Sequence, residues 1–541
     1  MKDPSNSLRG RWNRLDPLVR VLAAFAAAVV ILIGLFVLFA PYYSTHLWWF
    51  VRIITPFVVP LLLLVAGVAA LGYRAHLKKE ARRPYKRATA VAIAAGVLAI
   101  PGFIAWCIAN TYWREAEYAE TIHVTTDPTP TFTQRAPFQV AAAQASSSLG
   151  DNPGDLVDTT YLAADDTYTS LVERRGWTAG YSTALVQHVP LTGRATGTTC
   201  DFSDAADSRI GGDFGGNLGR QINEAQRGVS WEDSDVYGYC ADDPAHPGTR
   251  IPMVVVPLTE QDGLFVVTER PAGIALYNGH TGQLTIRTDT TGIPGPVYPL
   301  SLAATQRESS TTIGGFFDWL YLRAGWETSD DDTNSSNNAE FNLADEHTKR
   351  PLYVTPLTGR GSATAISAIS TVDAQSSTGG TYATVTIHKL AHPWVSPASI
   401  TSQIVSDYRD LPNWQTLKVM ELAPVSSDHW VATIGDDKLV SYRAHGTGTL
   451  TKPDPSDPHA AEPDAQPTCM YRGDNSLIRC GTVADTGGNG IGIQYGKPAT
   501  QLGTPTAATD LSALNNDQLA DLGRRVADEN ARRLATTGTP R

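Results

Sequence analysis

At 541 residues the chain has room for a membrane segment plus two to four domains of roughly 100–200 residues each, and 42% hydrophobic with 18% charged residues describe an ordered protein. The net charge of −11 conceals a split: residues 1–113 carry 13 Lys/Arg against three acids, leaving 30 basic and 51 acidic residues in the remainder. That acidic bulk excludes nucleic acid as a partner, because phosphate recognition needs a positive field.

Three uncharged runs open the chain, Val21–Ala40, Ile53–Tyr73 and Ala88–Trp113. At ~1.5 Å rise per residue each is long enough to cross a hydrocarbon core of about 30 Å, so residues 21–113 are expected to form three transmembrane helices. A cleaved signal peptide fits the first run poorly, since it ends in Phe-Ala-Pro-Tyr-Tyr without a small-residue site and a second span follows at once. Lys2, Arg9, Arg11, Arg14 and Arg20 precede the first span, seven Lys/Arg lie between Arg74 and Arg87, and Arg52 alone separates the first two spans. The excess of basic residues therefore assigns residues 1–20 and 74–87 to the cytoplasm and everything after 113 to the exterior. Tyr42, Tyr43, Trp48, Trp49, Tyr112 and Trp113 would make the outer aromatic belt. No span contains Asp, Glu, Lys, Arg or His, which argues against transport.

Beyond the anchor, residues 114–137 read as a stalk, with Thr125–Thr133 extended by its threonines and prolines. The exterior then divides by composition into 138–248, 249–345 and 346–450, followed by a Pro/Asp-rich linker at 451–468. The final part, 469–541, combines a disulfide segment with an amphipathic helix bearing Leu519, Leu522, Val526 and Leu534 on one face. That stripe would pack on the protein or on a second copy of the chain. Cys107 falls in the third span, whereas Cys200, Cys240, Cys469 and Cys480 all fall outside. Four cysteines in an oxidising compartment predict two bridges; three pairings exist, and proximity favours Cys200–Cys240 with Cys469–Cys480. Zinc would need a close pair such as Cys-x-x-Cys, which is absent.

The most informative signal is a recurrence. Pro252-Met-Val-Val-Val-Pro257-Leu258-Thr259 returns 99 residues later as Pro351-Leu-Tyr-Val-Thr-Pro356-Leu357-Thr358, and Pro190-Leu-Thr-Gly-Arg194 matches Pro356-Leu-Thr-Gly-Arg360. Each long copy precedes a second β-rich run, Gly273–Ile286 and Ala374–Ile387, and candidate helices follow at Ser301–Ala324 and Pro397–Arg409. A duplicated strand–turn–strand unit with a helix predicts α+β architecture. Proline donates no ladder hydrogen bond, so Pro257 and Pro356 are expected to close their strands. The run Ile274-Ala-Leu-Tyr-Asn-Gly-His-Thr-Gly-Gln-Leu-Thr-Ile286 resembles the closing hairpin of PepSY and cystatin-like domains. The resemblance covers about residues 250–445 and is to multi-pass bacterial envelope proteins carrying such domains in tandem. It implies a helix packed on an antiparallel sheet and a binding or regulatory role, with no catalytic residues.

Motifs for envelope chemistry are missing: there is no exterior Ser-x-x-Lys and no His-Glu-x-x-His, and four paired cysteines leave no exterior thiol. Weak leads are Gly180-Tyr-Ser182-Thr-Ala184 as an incomplete nucleophile elbow, His388 with His392, the acidic Asp330-Asp331-Asp332-Thr-Asn334, and the Gly-rich 211–219. None meets the spacing its chemistry needs, so no catalytic residue, metal or cofactor is expected. The expectation is a multi-pass, non-enzymatic membrane protein, in contact with the lipid bilayer, whose exterior domains bind an envelope protein, surface protein or cell-wall component. The alternative is an extracytoplasmic hydrolase or sensor.

Overall fold

The computed structural model describes residues 17–80, 85–150, 154–176, 180–191, 194–206, 217–243, 246–329, 341–376 and 379–482. Residues 483–541 lie outside that set, and the expected C-terminal helix falls there.

Three helices come first: α1 (Pro17–Phe39), α2 (Pro41–Glu80) and α3 (Tyr85–Ala119). By length and composition one of them, over Pro41–Arg74, can cross a membrane; Ala27–Phe39 is a shorter apolar helix among the described residues. That is one span by this measure, where the sequence predicts three. The expected loop at 41–52 is instead the start of α2, because Pro41 suits the first helical position and no breaker follows before Pro56. Tyr42 and Trp49 accordingly turn toward the β-rich body, Tyr42 beside Trp231 and Trp49 Nε1 donating to the Gly228 carbonyl at 3.3 Å.

The segment read as a stalk is woven into a sheet. After α3 come β1 (Ile122–Thr125) and β2 (Phe132–Thr133), then α4 (Phe138–Ser148). β-Branched Ile122, Val124 and Thr125 suit a strand, and pairing partners more than 200 residues away supply the ladder. β3 (Asp155–Leu162), β4 (Thr167–Glu173), β5 (Tyr181–His188) and β6 (Thr196–Asp201) then form an antiparallel meander.

Two matching units follow. The first comprises α5 (Leu218–Ala225), β7 (Val229–Ser230), β8 (Tyr237–Asp242), β9 (Arg250–Asp262), β10 (Thr268–Asn278) and β11 (Leu284–Arg287), and α6 (Leu300–Glu308) comes after it. The second comprises α7 (Phe316–Leu320), β12 (Trp326–Thr328), β13 (Phe341–Asp345), β14 (Pro351–Gly359), β15 (Ile366–Asp373) and β16 (Val385–Trp394), with α8 (Pro397–Tyr408) after it. In both, the long strand carrying the recurrent motif pairs with the next strand on one side and with two short strands on the other. The registers agree: Pro257 faces Ile274 and Pro356 faces Ile369, Val255 faces Tyr237 and Val354 faces Phe341. Even the bulge coincides, with Ala272 unpaired opposite Leu258/Thr259 and Ser367 unpaired opposite Leu357/Thr358. The shorter Pro190–Arg194 match lies beyond β5, outside any strand, and part of it is outside the described residues.

Pro257 and Pro356 do not end their strands. Each sits mid-strand, opposite the gap between the two short flanking strands. The Pro356 carbonyl accepts from the Ser329 amide at 3.2 Å in that gap. N–H and C=O of one residue point the same way in a strand, so the missing N–H would have faced a place without a ladder partner.

The motif is apolar throughout because both faces are covered. Val254, Val256 and Leu258 pack with Leu171, Tyr181 and Ile222, while Val255 turns to Tyr237, Ile274 and Val297. In the second unit Val354 joins Ile400, Ile404 and Trp430, and Tyr353 with Leu357 joins Tyr118, Tyr298 and Leu302. Each such aliphatic side chain contributes about 1.5–3 kcal/mol on burial. Finally β17 (Lys418–Pro424), β18 (His429–Gly435), β19 (Val440–Thr447), β20 (Cys469–Arg472) and β21 (Leu477–Cys480) make a five-stranded antiparallel sheet. The Pro/Asp-rich 451–468 is a loop between the paired strands β19 and β20, held down where His429 Nε2 meets the Asp464 carbonyl at 2.9 Å. The whole is α+β with several antiparallel sheets; β1 against β16 is a parallel pair.

Candidate functional site at the helix–sheet junction

Side chains at the upper ends of α2 and α3 grip the first unit. Arg52 donates through Nη1 to the Gln261 carbonyl at 2.7 Å and through Nη2 to that of Gly263, and Asn110 Nδ2 donates to the Phe265 carbonyl at 2.6 Å. All three acceptors lie in or beside the β9–β10 turn, where Gly263 has φ +82° and a Cβ would strike the Val266 carbonyl. α3 also grips the second unit and the turn before it. Glu115 Oε2 accepts from Trp319 Nε1 at 2.7 Å and Thr311 Oγ1 at 3.0 Å, and Tyr112 meets Phe316 and Trp319 edge-on.

Between these grips lies a cavity of about 440 Å³ lined by Arg114, Glu115, Gln261, Glu269, Glu308 and Arg360, among others. Gln261 and Arg360 are 99 residues apart and so occupy corresponding places after the two recurrent motifs. Arg360 Nε lies 3.4 Å from Glu327 Oε1, while its Nη1 and the Gln261 Oε1 are buried without a hydrogen-bond partner. Burial pushes the Glu269 carboxyl up from its usual range. Two guanidinium groups against three carboxylates suit a small ligand with charges of both signs. The lining hydroxyls of Thr305, Ser309 and Thr311 are committed to the Ser301 carbonyl, the Thr305 carbonyl and Glu115.

A buried ion pair and a buried carboxyl elsewhere are structural. Arg135 meets Glu421 at 3.0 and 3.2 Å, and it also donates to the Asn342 and Ala136 carbonyls and to Tyr168. The two side chains are 2% and 5% exposed, and the pair joins the segment before α4 to β4, β13 and β17. Asp235 accepts from the Leu300 amide at 3.2 Å and the Ser301 hydroxyl at 3.0 Å, capping α6 from a distance; burial pushes its carboxyl up to about 7.

The structure joins Cys200 to Cys240 and Cys469 to Cys480, and Cys107 is free. The first bridge ties β6 to β8 between sheets; the second crosslinks facing residues of β20 and β21. Ser182 lies within β5 and donates to the Val172 carbonyl at 3.3 Å, so it does not sit on a strand–turn–helix elbow. His388 and His392 lie on one strand, about 13 Å apart at ~3.3 Å per residue, too far to share an ion. His388 is buried between the Asp127 carbonyl and Thr371, and burial lowers its pKa. Residues 330–334 and 211–216 lie outside the described residues, among which no group of three His, Cys, Asp or Glu could hold a metal. The cavity residues escape sequence reading because they come from five separated segments; the matched positions of Gln261 and Arg360 are the available clue.

No protein-family model, no curated protein and no solved structure matches this chain.

Proposed function

We propose that this is a multi-pass, non-enzymatic membrane protein whose duplicated α+β body stands outside the cytoplasm and binds another envelope or surface component. Three spans, α1 and the apolar stretches of α2 and α3, hold it with the N-terminus inside, following the basic residues at 2–20 and 74–87. The disulfides accord with an oxidising exterior. The observation that carries the reading is a set of large apolar side chains left in the open on the body itself. Leu264 and Phe265 are 74% and 66% exposed, Phe317 and Leu322 69% and 61%. They flank the levels of α3 marked by Asn110, which holds Phe265, and Tyr112, which meets Phe316. Such tips belong in the interfacial layer of a bilayer, so the body sits directly on the outer leaflet. The shared strand order, register and bulge of the two units support gene duplication, in keeping with tandem PepSY-like domains. The charged cavity between the grips, with two guanidinium groups and three carboxylates in its wall, is the leading place for ligand recognition.

The test has two arms. A reporter active only outside the cytoplasm is fused after residue 541 and, separately, within residues 75–86; activity in the first fusion alone is expected, and the reverse pattern would overturn the orientation. A photo-crosslinking amino acid at Glu308, on the cavity, should capture a discrete envelope component that the same group at Asp436, on the β18–β19 turn, does not. Identical products from both positions would remove the cavity from the proposal.

A further inference from the structure

A second cavity, of about 570 Å³, opens between α2 and α3 on the other side of the β9–β10 turn. Its walls include Pro56, Pro60, Gly102, Phe103 and Trp106, and Phe265 closes one end. Helix irregularity creates it. Two prolines in α2 and Pro101 in α3 interrupt the helical hydrogen bonding, and Gly102 withholds a side chain where a Cβ would meet nothing within 4 Å. The polar groups along it are already satisfied: Thr55 Oγ1 donates to the Val51 carbonyl at 2.6 Å and Trp106 Nε1 to the Pro56 carbonyl at 2.7 Å. A volume within the roughly 300–1,000 Å³ range of small-ligand sites, lined almost wholly by apolar side chains, selects an apolar occupant.

We propose that this crevice is a binding site for one acyl chain of an outer-leaflet phospholipid; the inference rests on the membrane anchoring proposed above. Three observations choose that occupant. The crevice lies in the stretch of α2 that is long and apolar enough to cross a membrane, so hydrocarbon is the surrounding solvent. Leu264 and Phe265 line one end of it, in a turn that Arg52 holds at the Gly263 carbonyl and Asn110 at the Phe265 carbonyl, and both side chains are largely exposed. The polar cavity starts on the far side of the same turn, with Ile53 in its wall two residues from Thr55 in the crevice. A lipid held by its tail would therefore present its headgroup beside Arg52 and the turn that borders the charged cavity.

The full-length protein is reconstituted in vesicles of phosphatidylethanolamine and phosphatidylglycerol containing a phospholipid with a diazirine in one acyl chain. After illumination, label is expected on residues 99–106 and on Leu264–Phe265 at several times the level found on Val30–Leu38 of α1. Gly102→Trp should fill the crevice and lower the first signal at least fivefold while leaving α1 labelling unchanged. Gly102→Leu should lower it by less, and this graded response separates occlusion from misfolding. Even labelling along all helices, or unchanged labelling in Gly102→Trp, would overturn the site. Release of the protein from vesicles by alkaline carbonate would instead overturn the anchoring, and the crevice proposal with it.

Discussion

Replacing Glu421 by glutamine is expected to be among the most damaging single-atom-scale changes available in the body. The parent carboxylate faces Arg135 at 3.0 and 3.2 Å with both side chains almost wholly buried. The amide would keep the shape and one acceptor but leave the guanidinium charge uncompensated, which costs about 3–5 kcal/mol when a buried pair is broken. At a urea m-value of about 3 kcal/mol/M, that loss moves the unfolding midpoint down by roughly 1–1.7 M. Arg135→Met should cost a similar amount at pH 7, because it also orphans the Asn342 and Ala136 carbonyls. Its loss should shrink in acid. Burial already raises the Glu421 carboxyl, and without its cation the folded-state value rises further above the unfolded value of about 4.3. The stability tied to the protonated form is then fully present below the unfolded value and lost as pH rises through the folded one. The assay is urea unfolding of the detergent-solubilised full chain, followed by tryptophan fluorescence at pH 4 and pH 7. A Glu421→Gln midpoint within about 0.2 M of the parent, or an Arg135→Met deficit independent of pH, would refute the reasoning.

Asp235, raised to about 7, should weaken the fold by about 3 kcal/mol between pH 4 and pH 7, at 1.36 kcal/mol per unit; stability is full below the unfolded value and lost as pH rises through 7, and Asp235→Asn should flatten that slope in the same unfolding assay. Removing Cys200–Cys240 by paired serine substitutions should cost about 4 kcal/mol and removing Cys469–Cys480 about 3, since the first closes the longer loop; mass spectrometry of the unreduced parent should recover both linked peptides. Gly263→Ala should destabilise by at least about 1 kcal/mol, because φ is +82° and the new Cβ meets backbone; proteolysis at the β9–β10 turn should accelerate, and unchanged cleavage there would count against the strain.

Much of this architecture is legible in the residues where a signal is local. The α2 stretch announces itself by uninterrupted hydrophobicity, and both disulfides follow from chain proximity. The recurrent motif marks two strands whose pairing agrees down to the bulge. Pro257 and Pro356 suggest strand ends as long as only the strand itself is considered, whereas here a gap between two short neighbours serves the same purpose. What escapes is short and long-range. β12 has three residues and β2 two, too few for any periodicity, and β1 acquires its ladder from β16, more than 200 positions away. Trp326-Glu-Thr and Phe341–Asp345 therefore give no sign that they extend the sheet of β14 rather than the preceding unit. The charged cavity is likewise a product of assembly, since no pair among Arg114, Glu269 and Arg360 is near in sequence.

The direct passage from α3 into β1 sets how far this protein can reach. Only Glu120 and Thr121 separate the helix from the strand, and Thr121 is itself fixed, its hydroxyl donating to the Tyr118 carbonyl at 2.6 Å and its carbonyl accepting from the Val385 amide at 3.1 Å. A tether of flexible residues would let the body sweep a hemisphere and fish for distant targets; this joint allows no such excursion. A torque on α3 passes straight into β1 and, through its parallel ladder, into β16. The molecule is thus built like a mast stepped into its deck. In the membrane-held arrangement proposed above, a partner of this body would have to come to the bilayer to be met.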